Sequence, residues 1–373
     1  MTTMLPQKTN KADDITKNIR FTGNKKRYSR VLILGGGGVK GAFQVGVVKS
    51  LIEQGIKWDL IIGVSVGAIT GSYLAMYSKE ELIDGITKLE DFWRTKIRND
   101  TIYKPRGPGF WKYAIAFFTK SVNSTEPLRQ LIDENWDFNK LRKSNVDFIL
   151  GTTSLLTGIY KNVNKYHDGM TDWIMASSAF PILFPSIKIA NEEYIDGGLR
   201  NNVPINDALQ FQVDHIDVIL CEPYGDHAKT LKKNKNLIDV IIRTTEILSD
   251  AVFLNDLKEI CYHNNMSIDV FSPLNYLTSD TLDFDAKIIN QMIDIGYTSV
   301  RKVSVKRKFY HENNKDNKKK ITFGSTRRSQ FPRETVVTDS LGISGESTGT
   351  KATSLDDRTS YSRDSATTNK DST

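Results

Sequence analysis

Gly63-Val64-Ser65-Val66-Gly67 is the stretch in which residue type and spacing most plainly suit chemistry. A serine on a sharp strand-to-helix turn has its oxygen pushed clear of the backbone, where it can attack a carbonyl. Gly63 and Gly67 suit such a turn because neighbouring chain comes too close for a β-carbon. Ser65 stands 24 residues beyond Gly41, the last glycine of Gly35-Gly36-Gly37-Gly38-Val39-Lys40-Gly41. Backbone amides in such a loop, at the start of a helix, form an anion site. Two readings of that site stay open on the residues alone. Gly36, Gly38 and Gly41 match a GxGxxG dinucleotide fingerprint. The same amides could instead hold the oxyanion of an acyl intermediate, with Lys40 adding positive charge. No Gly-Lys-Ser/Thr follows, so the loop is not a Walker motif.

A serine oxygen needs a group to take its proton. The five histidines, His167, His215, His227, His263 and His311, stand in no sharp motif. Asp196 differs, lying in Tyr194-Ile195-Asp196-Gly197-Gly198-Leu199-Arg200-Asn201-Asn202-Val203-Pro204. An aspartate before two glycines at a strand end can face a neighbouring backbone or side chain. The same residues also fit a plain turn.

The elements that must position these residues read as alternating strands and helices. Val31–Leu34 is a buried strand ending in the glycines, and Ala42–Glu53 has helical spacing with Gly55 as its stop. Leu60–Ile62 is a second strand and Ala68–Tyr77 a small-residue helix. Further strands are expected at Asp147–Thr152, Ile187–Ile189, Asp217–Cys221 and Asp269–Phe271, and long helices at Leu237–Ile260 and Ala286–Val300. The pattern from Glu80 to Asn139 is mostly helical. Such alternation implies an α/β fold, a parallel sheet with helices on its faces.

Taken together, these residues resemble the patatin-like phospholipases, in particular bacterial-type members. The resemblance runs in order from about Arg30 to Val303. It covers the glycine loop, the GxSxG turn, the Asp196-Gly197-Gly198 element with Asn201 to Pro204 after it, and the small-residue segment Ala176 to Pro185. It implies a three-layer α/β/α fold with a mainly parallel central sheet and a Ser65–Asp196 dyad without histidine. Ser65 would attack the ester, Asp196 would take its proton and later activate water, and amides around Gly36, Gly37 and Gly38 would hold the oxyanion. The family's loop often begins with Asp and carries Arg near its end, where this chain has Gly35 and Lys40. Lysine supplies a point charge in place of a planar fork. Free aspartate titrates at about 3.9, too low for a base at neutrality, so burial near Ser65 would have to raise it.

The implied substrate is a phospholipid, with lysophospholipid or acylglycerol as alternatives, and neither a cofactor nor a metal such as calcium or zinc is expected. Three domains follow: a flexible segment 1–27, a patatin-like acyl hydrolase domain 28–305, and a basic, then Ser/Thr-rich disordered tail 306–373. Phe110–Phe118 is a candidate lid or interfacial helix, or a core helix.

Composition narrows the rest. The 373 residues are 39% hydrophobic, enough for a large core. Cys221 and Cys261 have neither metal nor disulfide spacing and read as reduced core thiols. With no secretory signal pattern and no apolar run near the ~20 residues of a span, the chain reads as cytoplasmic or peripheral. The net charge is +7, with basic clusters at Lys229–Lys235 and from Arg301 to Arg328, a solvated tail or an attraction to anionic membrane. Nucleic acid is not expected as a partner, and the oligomeric state is left open. A dinucleotide enzyme would leave GxSxG and the Asp196 element unused, and it wants an acid where Gly63 and Ser65 stand. A catalytically silent lipid-binding module is disfavoured because all three elements are intact.

Overall fold

A computed structural model describes residues 25–108, 121–223, 237–263, 266–278 and 280–305. Phe110–Phe118, Lys229–Lys235, His227, His311, the N-terminal segment up to residue 24 and the tail from residue 306 lie outside the described residues. The chain divides into two units, Met1–Pro332 and Arg333–Thr373, and all described residues belong to the first.

The strands of the large sheet are β1 (Arg27–Leu34), β2 (Leu60–Val64), β3 (Asp147–Ser154), β4 (Tyr160–Asn164), β5 (Ile187–Ile189), β6 (Glu192–Asp196), β7 (Gln212–Ile219), β8 (Ser267–Pro273) and β9 (Val300–Val305). Their order across the sheet is β9-β8-β7-β1-β2-β3-β6-β5, with β4 also on β3. The five strands from β8 to β3 run parallel, while β9, β4, β6 and β5 are antiparallel to their neighbours. The expected α/β/α architecture with a mainly parallel sheet is therefore what the chain adopts.

Alternation along the strands builds the layers. Leu32, Leu34, Ile61, Phe148 and Leu150 pack on one face against α1 (Gly41–Glu53), α2 (Val66–Ala75), α3 (Leu82–Thr95), α4 (Glu126–Asn135), α6 (Met170–Ser177) and α8 (Ala286–Thr298). A short α5 (Phe138–Lys143) leads into β3. Val31, Ile33, Leu60, Ile62 and Val270 face the other way, against Ile205 and Ala208 and against Phe253 and Leu257 of α7 (Leu237–His263). Strands covered on both faces explain why β1 and β2 read as unbroken apolar runs.

Two elements depart from the sequence reading. β4 was not anticipated, because only Val163 among Tyr-Lys-Asn-Val-Asn is fully buried and the apolar alternation is weak. Arg301 and Lys302, read as the start of a basic cluster beyond the folded part, lie within β9, and Lys302 Nζ sits 2.8 Å from Asp269 Oδ2. The helix expected to run to Val300 stops at Thr298 and the chain turns into β9.

Helices α1 and α8 meet backbone to backbone. A β-carbon on Gly46 would lie 2.0 Å from the Ile293 carbonyl oxygen, and one on Gly296 would lie 2.1 Å from that of Phe43. Neither backbone can yield without moving a whole helix. Gly46→Ala is therefore expected to cost about 1–3 kcal/mol by overpacking. Thermal and denaturant unfolding check this, and an unchanged midpoint would contradict so close a crossing.

Candidate active site

The site forms at the carboxyl ends of the parallel strands, where open α/β sheets bind ligands. The chain leaves β1 toward β2 on one side and returns through β7 on the other, so the crevice opens beside β1. Gly35–Lys40 follows β1, Ser65 follows β2, and Cys221 and Glu222 follow β7.

Ser65 takes φ 56° and ψ −126°, a conformation that costs a non-glycine residue energy and that a nucleophile turn requires. The glycines around it are needed. A β-carbon on Gly63 would lie 2.2 Å from the Gly67 carbonyl oxygen, and one on Gly67 would lie 2.2 Å from that of Leu34. The Ser65 amide donates to Ser177 Oγ at 3.0 Å, and Ser177 Oγ donates to the Gly151 carbonyl at 2.7 Å. Ser177, at the end of α6, stood in the sequence only as part of a small-residue segment.

Asp196 arrives by a change of strand partner. β2 pairs with β3 as far as Val64 opposite Gly151, and from Thr152 onward β3 pairs with β6, Asp196 facing Thr152. β4 holds the other edge of β3 across the same residues, so β6 fills the row that β2 vacates. The last residue of β6 is thereby delivered to the end of β2. Asp196 is 2% exposed. Its Oδ1 accepts the Gly198 amide at 2.7 Å. Burial pushes its carboxyl up to about 7, against the lowering effects of the Gly198 amide and the Ser65 hydroxyl. That rise is the one the sequence argument required.

The glycine loop is held by Asn202. The Gly36 amide donates to Asn202 Oδ1 at 3.1 Å and to its carbonyl at 3.2 Å. Asn202 Oδ1 also fills the space beside Gly198. The Gly36 amide is thus shared with Asn202, while no acceptor among the described residues takes the amides of Gly37 and Gly38. Gly38 has φ +60° and passes under the Thr281 carbonyl, and Gly41 packs on Val66 and Trp93. Gly197 packs on the Gly151 carbonyl. Lys40 is buried, and its ammonium contacts the Glu222 carboxylate and lies 3.6 Å from Glu246 Oε1. Its charge is already paired, which the sequence did not reveal because Glu222 and Glu246 lie so far along the chain.

Ser65 and Asp196 line one cleft of about 730 Å³, counting the solvent at its mouth, together with Gly36, Gly37, Gly38 and Lys40. A second cavity of about 470 Å³ shares Ser65 and Gly38 with it and is otherwise mainly apolar, with Ile69, Trp93, Ile97, Leu128 and Phe284 in its wall. Gly41, Gly63, Gly67 and Gly197 shape the turns and do not line the cleft. Of the histidines, His167 bonds to Asn164, and no histidine lines either cavity among the described residues.

Within β7 and β8, His215, Asp217 and Asp269 converge, a cluster the sequence reading did not foresee. Its positions are already taken by cations and donors. Arg30 and the Trp58 indole bind Asp217, and Lys302 and Ser304 bind Asp269. These partners hold both carboxyls below the usual range.

Residues 32–209 match the family model described as patatin-like phospholipase. The probable lipid hydrolase 463L of Invertebrate iridescent virus 6 is 24% identical over 254 residues, 64% of this chain and 87% of that protein. Lysophospholipase nte1 of Aspergillus terreus is 28% identical over 178 residues, 47% of this chain but 10% of that protein. Neuropathy target esterase sws of Drosophila melanogaster is 25% identical over 221 residues, 56% of this chain and 14% of that protein. The chain thus spans only a small part of these two long relatives. The crystal structure of VipD from Legionella pneumophila aligns at TM-score 0.36 and 15% identity over 74% of this chain and 68% of that one.

Two outcomes follow from the geometry. Asp196 titrates at about 7 when folded and at about 3.9 when unfolded. Between those values the folded protein holds the extra proton, so this residue lowers stability as pH rises through that window. Asp196→Asn cannot ionise, so its melting temperature should gain on wild type between about pH 4 and about pH 7. A gap that does not change with pH would contradict the burial. Ser177→Ala strands the buried Ser65 amide, and a loss of about 1–3 kcal/mol is expected in denaturant unfolding.

Proposed function

We propose that the chain is a lipid acyl hydrolase working through Ser65 and Asp196. The observation that carries the reading is their meeting in one cleft, the hydroxyl acting on a buried carboxyl of near-neutral pKa. Ser65 Oγ attacks the ester carbonyl as Asp196 takes its proton. The amides of Gly37 and Gly38 hold the oxyanion, with Gly36 fixing the loop. Asp196 then protonates the leaving alcohol, which departs as the acyl-enzyme forms. In the second half Asp196 takes a proton from water, hydroxide attacks the acyl group, and Ser65 leaves with the proton returned.

The apolar cavity behind Ser65 suits the acyl chain and the wider cleft suits the rest of the lipid. A membrane phospholipid is the first substrate. One apolar cavity branching from Ser65, with lysophospholipase nte1 among the relatives, favours a single-chain lipid as the second reading. No helix among the described residues is long and apolar enough to cross a membrane. The basic residues from Lys306 onward are proposed to draw the protein to an anionic surface.

Release of fatty acid from phospholipid and lysophospholipid, with EDTA present, tests the reading. Ser65→Ala is expected to fall to background, and Asp196→Asn to lose roughly 100- to 10,000-fold in kcat. Wild-type activity should rise with pH through about 7 as Asp196 gives up its proton. Full activity in either variant, or a flat profile across that range, would overturn the dyad.

A further inference from the structure

We infer that the carboxyl edge of the sheet is a lipid-docking face, seated on a bilayer by apolar side chains around the mouth of the cleft. The inference rests on the acyl-hydrolase reading and adds the surface through which substrate is reached. Separate elements put exposed apolar side chains on this edge. β3 runs on past the end of β2, and the turn joining it to β4 carries Leu155, Leu156 and Ile159, with Leu156 82% and Ile159 64% exposed. Leu274 is exposed directly after the end of β8. Ile182, Leu199 and Leu248 are exposed too, and they are the immediate chain neighbours of Leu183, Gly198 and Ser249, which line the cleft. Ile182 holds φ 71°, a costly conformation for a β-branched residue and one that clusters at functional segments.

Helix α7 extends the face. Thr245, Glu246 and Ser249 lie in the cleft wall, and the helix packs on Gly198–Asn201. Among the described residues its exposed side chains carry no charge, and Ile247 and Leu248 are the most exposed large ones. Its half-buried Arg243 and Glu246 pair with each other. A helix facing water ordinarily turns its charges outward. Single exposed apolar residues are ordinary, but apolar residues gathered round one opening mark an interaction site. What they surround names the occupant. The cleft and the apolar cavity behind Ser65 open among them, so an acyl chain drawn from a bilayer enters without crossing water. Exposed charges on the same edge have both signs, Lys188 and Arg200 against Asp280. Apolar contact, not attraction to anionic lipid, therefore seats this face.

The test uses the full chain carrying Ser65→Ala, so that the lipid survives, and phosphatidylcholine vesicles in about 1 M salt, where charges act over roughly 3 Å. The protein is expected to float with the vesicles. Leu156→Asp and Leu248→Asp, each added alone, should weaken that binding about tenfold or more. Ile83→Asp, exposed at the amino edge where Lys79 meets Asp59 ahead of β2, should leave it unchanged. No binding to these neutral vesicles, binding untouched in both edge variants, or an equal loss in Ile83→Asp would overturn the inference. A lipid-free dimer, seen by light scattering and split by either edge variant, would overturn it as well, because a second copy would then cover the face. In chains that keep Ser65, both edge variants should hydrolyse vesicle lipid about tenfold more slowly and cut soluble p-nitrophenyl butyrate at the wild-type rate. A matching loss on the soluble ester would place these residues in the cleft and overturn the docking role. A wild type inert on the ester and on lipid overturns the hydrolase reading alone, and flotation still decides the docking face.

Discussion

Halfway along β3 one edge of the strand changes partner, and the arrangement of the site depends on that exchange. β2 can pair with β3 only to Val64, because the next residue, Ser65, leaves extended geometry for φ 56°. The backbone groups of β3 beyond Gly151 would then face nothing, and buried peptide groups must be paired. β6 supplies the partner from the opposite direction. An unfavourable turn at the serine thus creates the slot that the aspartate's strand fills. Gly151 sits at the junction. Its carbonyl takes the Ser177 hydroxyl that holds the Ser65 amide, and Gly197 packs on the same oxygen. Tyr160 Oη lies 1.7 Å from where a Gly151 β-carbon would be, so no larger residue fits.

Two parts of the sheet treat aspartate in opposite ways. Asp217 and Asp269 are given Arg30, His215 and Lys302, and their carboxyls titrate below the ordinary value. Asp196 is equally hidden but has no cation beside it among the described residues, only an amide and a hydroxyl, and its carboxyl rises to about 7. The first arrangement stabilises the fold. The second costs stability at neutral pH and leaves a group able to accept a proton there. On the proposed reading a base without a histidine is workable because burial alone supplies the shift that an imidazole has without perturbation.

Much of this was legible in the residues. Glycines at 36, 38, 41, 63, 67, 197 and 198 marked crowded places: backbone presses on Gly38, Gly63, Gly67 and Gly197, and side chains press on Gly36, Gly41 and Gly198. Unbroken apolar runs at β1 and β2 announced strands covered on both faces. What could not be read were links between residues remote in sequence with no periodic pattern. Ser177 is one small residue among several, and its role comes from the two peptides it touches. Lys40 looked like free positive charge until Glu222 and Glu246 closed on it. Asn202 stood in a motif but gained its task only when the loop after β1 came to lie against it. β4 and β9 escaped because polar and basic residues on sheet strands carry weak apolar alternation.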